Sequence, residues 1–150
     1  MDFCKLFQCV ELFHNAIVEI KNELSIEFHN FPAGSCGTTC ILLATFLNEN
    51  GFEKIKMIIG GKEFFTENSY QEYSHAWLEL NKILVIDITA YQFPEIQEKI
   101  FIHKNSLWHK GWKVLEEIKD PNIYTSIATT NSDFINYSKI KEKILRKENT

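Results

Sequence analysis

Of the four cysteines in this 150-residue chain, Cys36 is the one placed to react. It stands in Phe31-Pro32-Ala33-Gly34-Ser35-Cys36-Gly37-Thr38-Thr39-Cys40, just ahead of the apolar run Ile41-Leu42-Leu43-Ala44-Thr45-Phe46-Leu47. Pro32 and Gly34 break whatever precedes them, and the apolar run has the spacing of a buried helix. Cys36 therefore falls where a loop turns into a helix, among free backbone N–H groups whose dipole stabilises a thiolate. A reactive thiol also needs a base and a group to orient that base. His75, in Ser74-His75-Ala76-Trp77-Leu78-Glu79-Leu80, supplies the imidazole. Asp87, in Ile83-Leu84-Val85-Ile86-Asp87-Ile88-Thr89, is a lone carboxylate in an apolar run, costly to bury without a partner. Cysteine, histidine and aspartate in this order suit acyl transfer through a thioester.

Pairing His75 with Asp87 makes a demand on register. The two runs read as adjacent antiparallel strands joined by a tight Asn81-Lys82 turn. His75 and Asp87 share a face only if the connection holds an odd number of residues, such as Leu80-Asn81-Lys82, or a bulge. In that register His75 faces Asp87, Trp77 faces Val85 and Glu79 faces Ile83. A two-residue loop without a bulge separates the pair. For the oxyanion, the backbone N–H of Cys36 is available, and Asn30 offers a side-chain amide six residues upstream. Asn30, Ser35 and Trp77 are the candidate substrate- and oxyanion-binding residues. Cys40, one helical turn beyond Cys36, reads as a small buried residue or a resolving thiol. A metal site is not expected, because the spacing of Cys36, Cys40 and His75 matches no closed structural site and no Cys-x-x-Cys occurs. His29, His103 and His109 read as surface or locally bonded histidines, Trp108 and Trp112 as packing or pocket lining, and Glu79 as a rim residue.

The elements that must position these groups follow from periodicity. Phe3, Leu6, Phe7, Val10, Phe13, Ile17 and Ile20 recur at helical steps, giving a helix capped by Asp2 and running to about Leu24. Cys4 and Cys9 on it read as buried core thiols. A second helix spans about 37–49 and ends near Asn50-Gly51. Residues 54–60 read as a first strand, 61–73 as a polar loop, and 74–80 and 83–89 as the two strands above. A short helix at 95–99, strands at 100–103 and 112–116, and a closing helix over 133–146 complete the chain. That closing helix carries Phe134, Tyr137, Ile140, Ile144 and Leu145 as its apolar side. Helices first and an antiparallel sheet after them make an α+β class, in one domain spanning 1–150.

Composition bounds the partners. Hydrophobic residues make up 45% and charged residues 24%, enough apolar side chain for one real core. A net charge of −4 gives nucleic-acid binding no electrostatic support. No window approaches the roughly 20 apolar residues of a membrane span, and no signal peptide is visible at the start. The expected compartment is the cytoplasm, with all four cysteines reduced.

The three motifs together resemble the transglutaminase-like superfamily of papain-fold cysteine enzymes, in its small bacterial single-domain type. The residues that carry the likeness are Phe31 to Gly37, Ser74 to Glu79, and Asp87-Ile88-Thr89-Ala90-Tyr91-Gln92-Phe93, spread over roughly residues 30–93. The resemblance implies a papain-like core with Cys36 as nucleophile, His75 as general base and acid, and Asp87 as the residue that orients His75. It implies amide chemistry of the peptidase or deamidase type on a protein or peptide substrate, with no cofactor, and it leaves hydrolysis or transfer open. In 150 residues there is no room for the extra domains and metal sites of full-size transglutaminases, which weighs against calcium-dependent crosslinking. Two other readings stand beside it: a non-catalytic interaction module that keeps the fold, and an N-acetyltransferase. The second lacks a basic cluster near Cys36 to hold an acyl-CoA phosphate.

Overall fold

The computed structural model describes residues 1–125 and 129–149. Its helices are α1 (Phe3–Ile20), α2 (Cys36–Glu49), the single turn α3 (Leu107–Lys110) and α4 (Asn131–Glu148). Its strands are β1 (Ile55–Thr66), β2 (Ser69–Leu80), β3 (Leu84–Asp87), β4 (Phe101–Lys104) and β5 (Lys113–Lys119). They form one antiparallel sheet in the order β4-β3-β2-β1-β5. The class is α+β, as the sequence implies.

The two faces of the sheet are covered differently. Ile55 and Met57 of β1, Ala76, Leu78 and Leu80 of β2, and Leu84 and Ile86 of β3 point to the helices. There Leu6, Phe13 and Ile17 of α1, Leu42, Leu43 and Leu47 of α2, and Ile140 and Ile144 of α4 complete the main core. The alternate residues Ile58, Trp77 and Val85 point the other way, into a smaller layer closed by Phe101, Trp112, Phe93 and Trp108. His75 and Asp87 belong to this second face by the period of two. Gly60 of β1 permits that layer to close. A Cβ there would stand 2.8 Å from the Trp77 ring and 2.9 Å from Trp112 Cβ.

Several boundaries differ from the sequence reading, each for a physical reason. α1 stops at Ile20, and Lys21–Glu23 tightens into a 3₁₀ turn. The stretch 61–73, expected as a loop, is the outer half of a long β1–β2 hairpin turning at Glu67-Asn68. It is exposed on both faces, so no apolar alternation marks it; cross-strand ring pairs Phe65–Tyr70 and Phe64–Tyr73 hold it instead. No helix forms at 95–99; a 3₁₀ turn sits earlier, at Ala90–Gln92. β5 runs to Lys119, and α4 starts at Asn131 behind a Thr130–Asp133 capping box. On α4, Phe134 and Leu145 are exposed and only Tyr137, Ile140 and Ile144 of the expected stripe are buried, because α4 lies chiefly along α1. Phe3 and Phe7 of α1 are likewise exposed. All four cysteines are free; Cys9 is buried but Cys4 is exposed, against the reading of both as core thiols.

Candidate active site

Three local features bring the polar groups together. α2 begins at Cys36, so the thiol sits in the first turn, where N–H groups lack intrahelical acceptors. β3 is short and ends at Asp87, and beyond it the chain turns through Thr89. β2 carries His75 past the end of β3, where among the described residues no neighbouring strand covers it on that side.

The β2–β3 connection is Asn81-Lys82-Ile83, with Leu80 opposite Leu84, Glu79 opposite Val85 and Leu78 opposite Ile86. Asn81 and Lys82 adopt left-handed backbone, φ 55° and 66°, to make the turn. The odd count keeps His75 and Asp87 on one face. The register is nonetheless two residues from the expected one. Asp87 lies level with Trp77 rather than His75 and reaches His75 diagonally, within the span such neighbours cover.

Asp87 is 2% exposed and fully partnered. Its Oδ2 accepts from His75 Nε2 at 2.7 Å and from His109 Nε2 at 2.8 Å. Its Oδ1 accepts from the Thr89 backbone N–H at 2.9 Å and from Thr89 Oγ1 at 3.3 Å. A carboxylate only accepts, so each Nε2 carries its proton and the tautomer of both rings follows. His109 Nδ1 pairs with Ser106 Oγ at 2.7 Å, while Ser106 Oγ caps α3 by accepting from the His109 N–H. His109, buried at 3%, is the residue that sequence reasoning missed. Its signal was Ser106-Leu107-Trp108-His109, a cap residue three positions before a histidine between two tryptophans, which fixes a one-turn helix without showing where it docks.

These contacts set the charges. Burial alone would raise the Asp87 carboxyl, but the two imidazoles hold it far below the usual carboxylate range. For His75, burial pushes the ring down, yet the adjoining Asp87 anion, with a smaller contribution from Cys36, lifts it to about 9. For Cys36, burial pushes the thiol up, and the His75 ring together with the Ala76 backbone N–H more than offsets this, so the net shift is downward. Thiol and ring thus already act on one another, although His75 Nδ1 is buried without a conventional hydrogen bond. Such looseness is common in unliganded sites. Cys36 itself remains half-buried and reachable. Cys40 is different: burial drives its thiol far up, and the nearby Asp87 and Cys36 add to the effect.

The other expected site residues take structural positions. Asn30 is exposed, and its backbone carbonyl closes a turn with the Ala33 N–H at 2.9 Å. No hydrogen bond among the described residues ties its side chain to Cys36. Ser35 is buried, its hydroxyl engaged by Thr39 Oγ1 at 3.2 Å. Trp77 is buried at 3%, its ring 4.9 Å from His109 and 5.9 Å from His75, as a wall to the polar cluster and not a rim. Glu79 is half-buried and pairs with Lys56 at 3.7 Å. His14, on α1, is buried and bonds Tyr91 Oη at 2.9 Å, a contact no local pattern announced.

His75, Asp87 and His109 are also the one grouping of metal-capable side chains among the described residues. Their Nε2–Oδ2 separations of 2.7 and 2.8 Å are those of direct hydrogen bonds. A tetrahedral zinc site with bonds near 2.1 Å separates its ligand atoms by about 3.4 Å. The cluster as built shares protons.

No protein-family model, no curated protein and no solved structure matches this chain. Among the described residues, no helix is long and apolar enough to cross a membrane.

Proposed function

We propose that the chain is a cysteine-dependent enzyme acting on amides through an acyl-enzyme, with Cys36 as nucleophile, His75 as proton shuttle and Asp87 as its anchor. The observation that carries this reading is the division of labour on His75. Nε2 is clamped by a buried carboxylate, and Nδ1 is left without a bond beside a helix-starting thiol whose titration is drawn down. A ring lifted to about 9 is protonated at neutral pH, which favours a thiolate–imidazolium pair.

In this mechanism the Cys36 thiolate adds to the amide carbonyl, forming the C–S bond and an oxyanion that the first-turn N–H groups of α2 stabilise. His75 gives its Nδ1 proton to the leaving nitrogen as the C–N bond breaks, and a thioester remains. Water or an amine then loses a proton to His75 as it attacks the thioester, and the Cys36 thiolate departs. Asp87 stays ionised throughout and keeps the ring oriented. The substrate class is a protein or peptide amide, and a reducing, cytoplasmic compartment suits a chemistry that needs a free thiol.

The test is the pH dependence of iodoacetamide alkylation at each cysteine, read by mass spectrometry on the parent chain and on His75→Ala. Fast labelling of Cys36 at pH 6–7 that is lost in His75→Ala supports the pair. Slow labelling of Cys36 in both overturns it and points to a binding role for the buried cluster.

A further inference from the structure

We propose that the open edge of β2, from Tyr70 to Ser74, binds an extended polypeptide as an added strand and leads it to Cys36. The substrate would then be an unfolded or extended segment of a protein chain. This rests on the reading of Cys36 as the reacting thiol.

Hydrogen-bond direction along β2 is fixed at both ends. The Leu80 carbonyl accepts from the Ile83 N–H, and the Ala76 N–H points to Cys36, so even-numbered residues of β2 turn their backbone groups to the β3 side. The Asn81 N–H donates to the Lys54 carbonyl, so odd-numbered residues face β1. β3 covers only Leu78 to Leu80. Among the described residues, no strand pairs with the same side of β2 from Ser69 to Ser74, and the side chains there are exposed. The N–H and C=O groups of Tyr70, Glu72 and Ser74 therefore form a row of free donors and acceptors. The next donor in the same row is the Ala76 N–H, one of the groups that draw the Cys36 titration down.

The sheet's other open edges carry devices against strand addition, and among the described residues β1 over 62–66, unpaired on its β5 side, carries Lys62 and Glu63. β4 is four residues long, and β5 carries Lys113, Glu116, Glu117 and Lys119 and is bulged against β1 at Ile59/Gly60. Short length, charge and bulges are the usual devices against strand addition. β2 over 69–76 has no proline, lysine or bulge, carries Glu72 as its one acidic residue, and is paired in continuous register with β1. The complement of a straight row of alternating donors and acceptors is another extended backbone.

The experiment uses the Cys36→Ala chain with reduced, carboxymethylated lysozyme as an unfolded probe and native lysozyme as its folded counterpart, read by amide hydrogen exchange in NMR. With the unfolded probe, the Tyr70, Glu72 and Ser74 amides slow by about tenfold or more, while Gln71 and Tyr73, already bonded to β1, do not change. Glu72→Pro removes an outward N–H without touching the β1 pairing and abolishes protection at Tyr70 and Ser74; Glu72→Ala keeps it. No alternating protection overturns the assignment. So does equal protection by native lysozyme, or protection that grows with protein concentration in the absence of probe, which would assign the edge to a second copy. Cys36 alkylation is scored separately on the parent chain. Fast His75-dependent labelling without edge protection refutes the strand addition alone, and edge protection with slow labelling upholds it while refuting the thiol chemistry.

Discussion

Asp87→Asn is the sharpest perturbation of the site, because it removes one charge and almost no volume. Asn can still accept from the Thr89 N–H, so the turn after β3 keeps its bond. What is lost is the anion between two buried imidazoles. The His75 ring, lifted to about 9 chiefly against its own burial, then has only burial acting strongly on it and falls below its ordinary 6.5. A change of more than two pH units corresponds to about 3 kcal/mol of lost preference for the imidazolium. Without that cation the Cys36 thiol moves toward or above its ordinary 9.0, where about 1% is ionised at pH 7. Iodoacetamide labelling of Cys36 at pH 7 should therefore fall by roughly tenfold to a hundredfold. In parallel, the His75 ring resonances, followed by NMR, should titrate near 9 in the parent and below 6.5 in the variant. Breaking a buried pair from one side costs about 3–5 kcal/mol, so circular dichroism must first show the variant folded. A folded Asp87→Asn that labels on the parental profile, with His75 titrating unchanged, refutes the electrostatic account of the site.

Further outcomes follow from the same geometry. The folded carboxyl of Asp87 lies below its ordinary 3.8, so its contribution to stability is present above that value and lost as pH falls through the folded one. The urea-unfolding difference between parent and Asp87→Asn should accordingly shrink as pH drops below 4, and a constant difference contradicts it. His109→Gln removes one donor from a charged acceptor and disturbs the Ser106 bond. A loss of about 2 kcal/mol by urea unfolding is expected, together with a shifted pH profile of Cys36 labelling that a purely structural residue would not produce. Gly60→Ala forces a methyl against Trp77 and Trp112 and should cost about 1–3 kcal/mol, measured by thermal unfolding; an unchanged midpoint means that the aromatic layer yields. Cys40 should label only in denaturant, whereas the exposed Cys4 labels in the native chain, as read by mass spectrometry.

Sequence alone determined what local chemistry dictates. The apolar run after Thr38 could only be a buried helix, which put Cys36 at its start. The period of two in β2 and β3 put His75 and Asp87 on one face once the connection was odd. Patterning could not say which odd connection forms, since Leu80-Asn81-Lys82 and Asn81-Lys82-Ile83 preserve parity equally well. Packing chose the second, because it sets Leu80 against Leu84 and Leu78 against Ile86 in the main core. The outer half of the β1–β2 hairpin was illegible because both its faces meet water, so its order comes from cross-strand pairing and not from a buried stripe. His109 was illegible for the opposite reason. It lies 22 residues from Asp87, and nothing local reveals that α3 docks under Trp77 with one imidazole nitrogen on the carboxylate. Only the tertiary structure could decide that Asp87 serves two histidines, because a buried carboxylate takes its donors from whatever elements the fold brings to it.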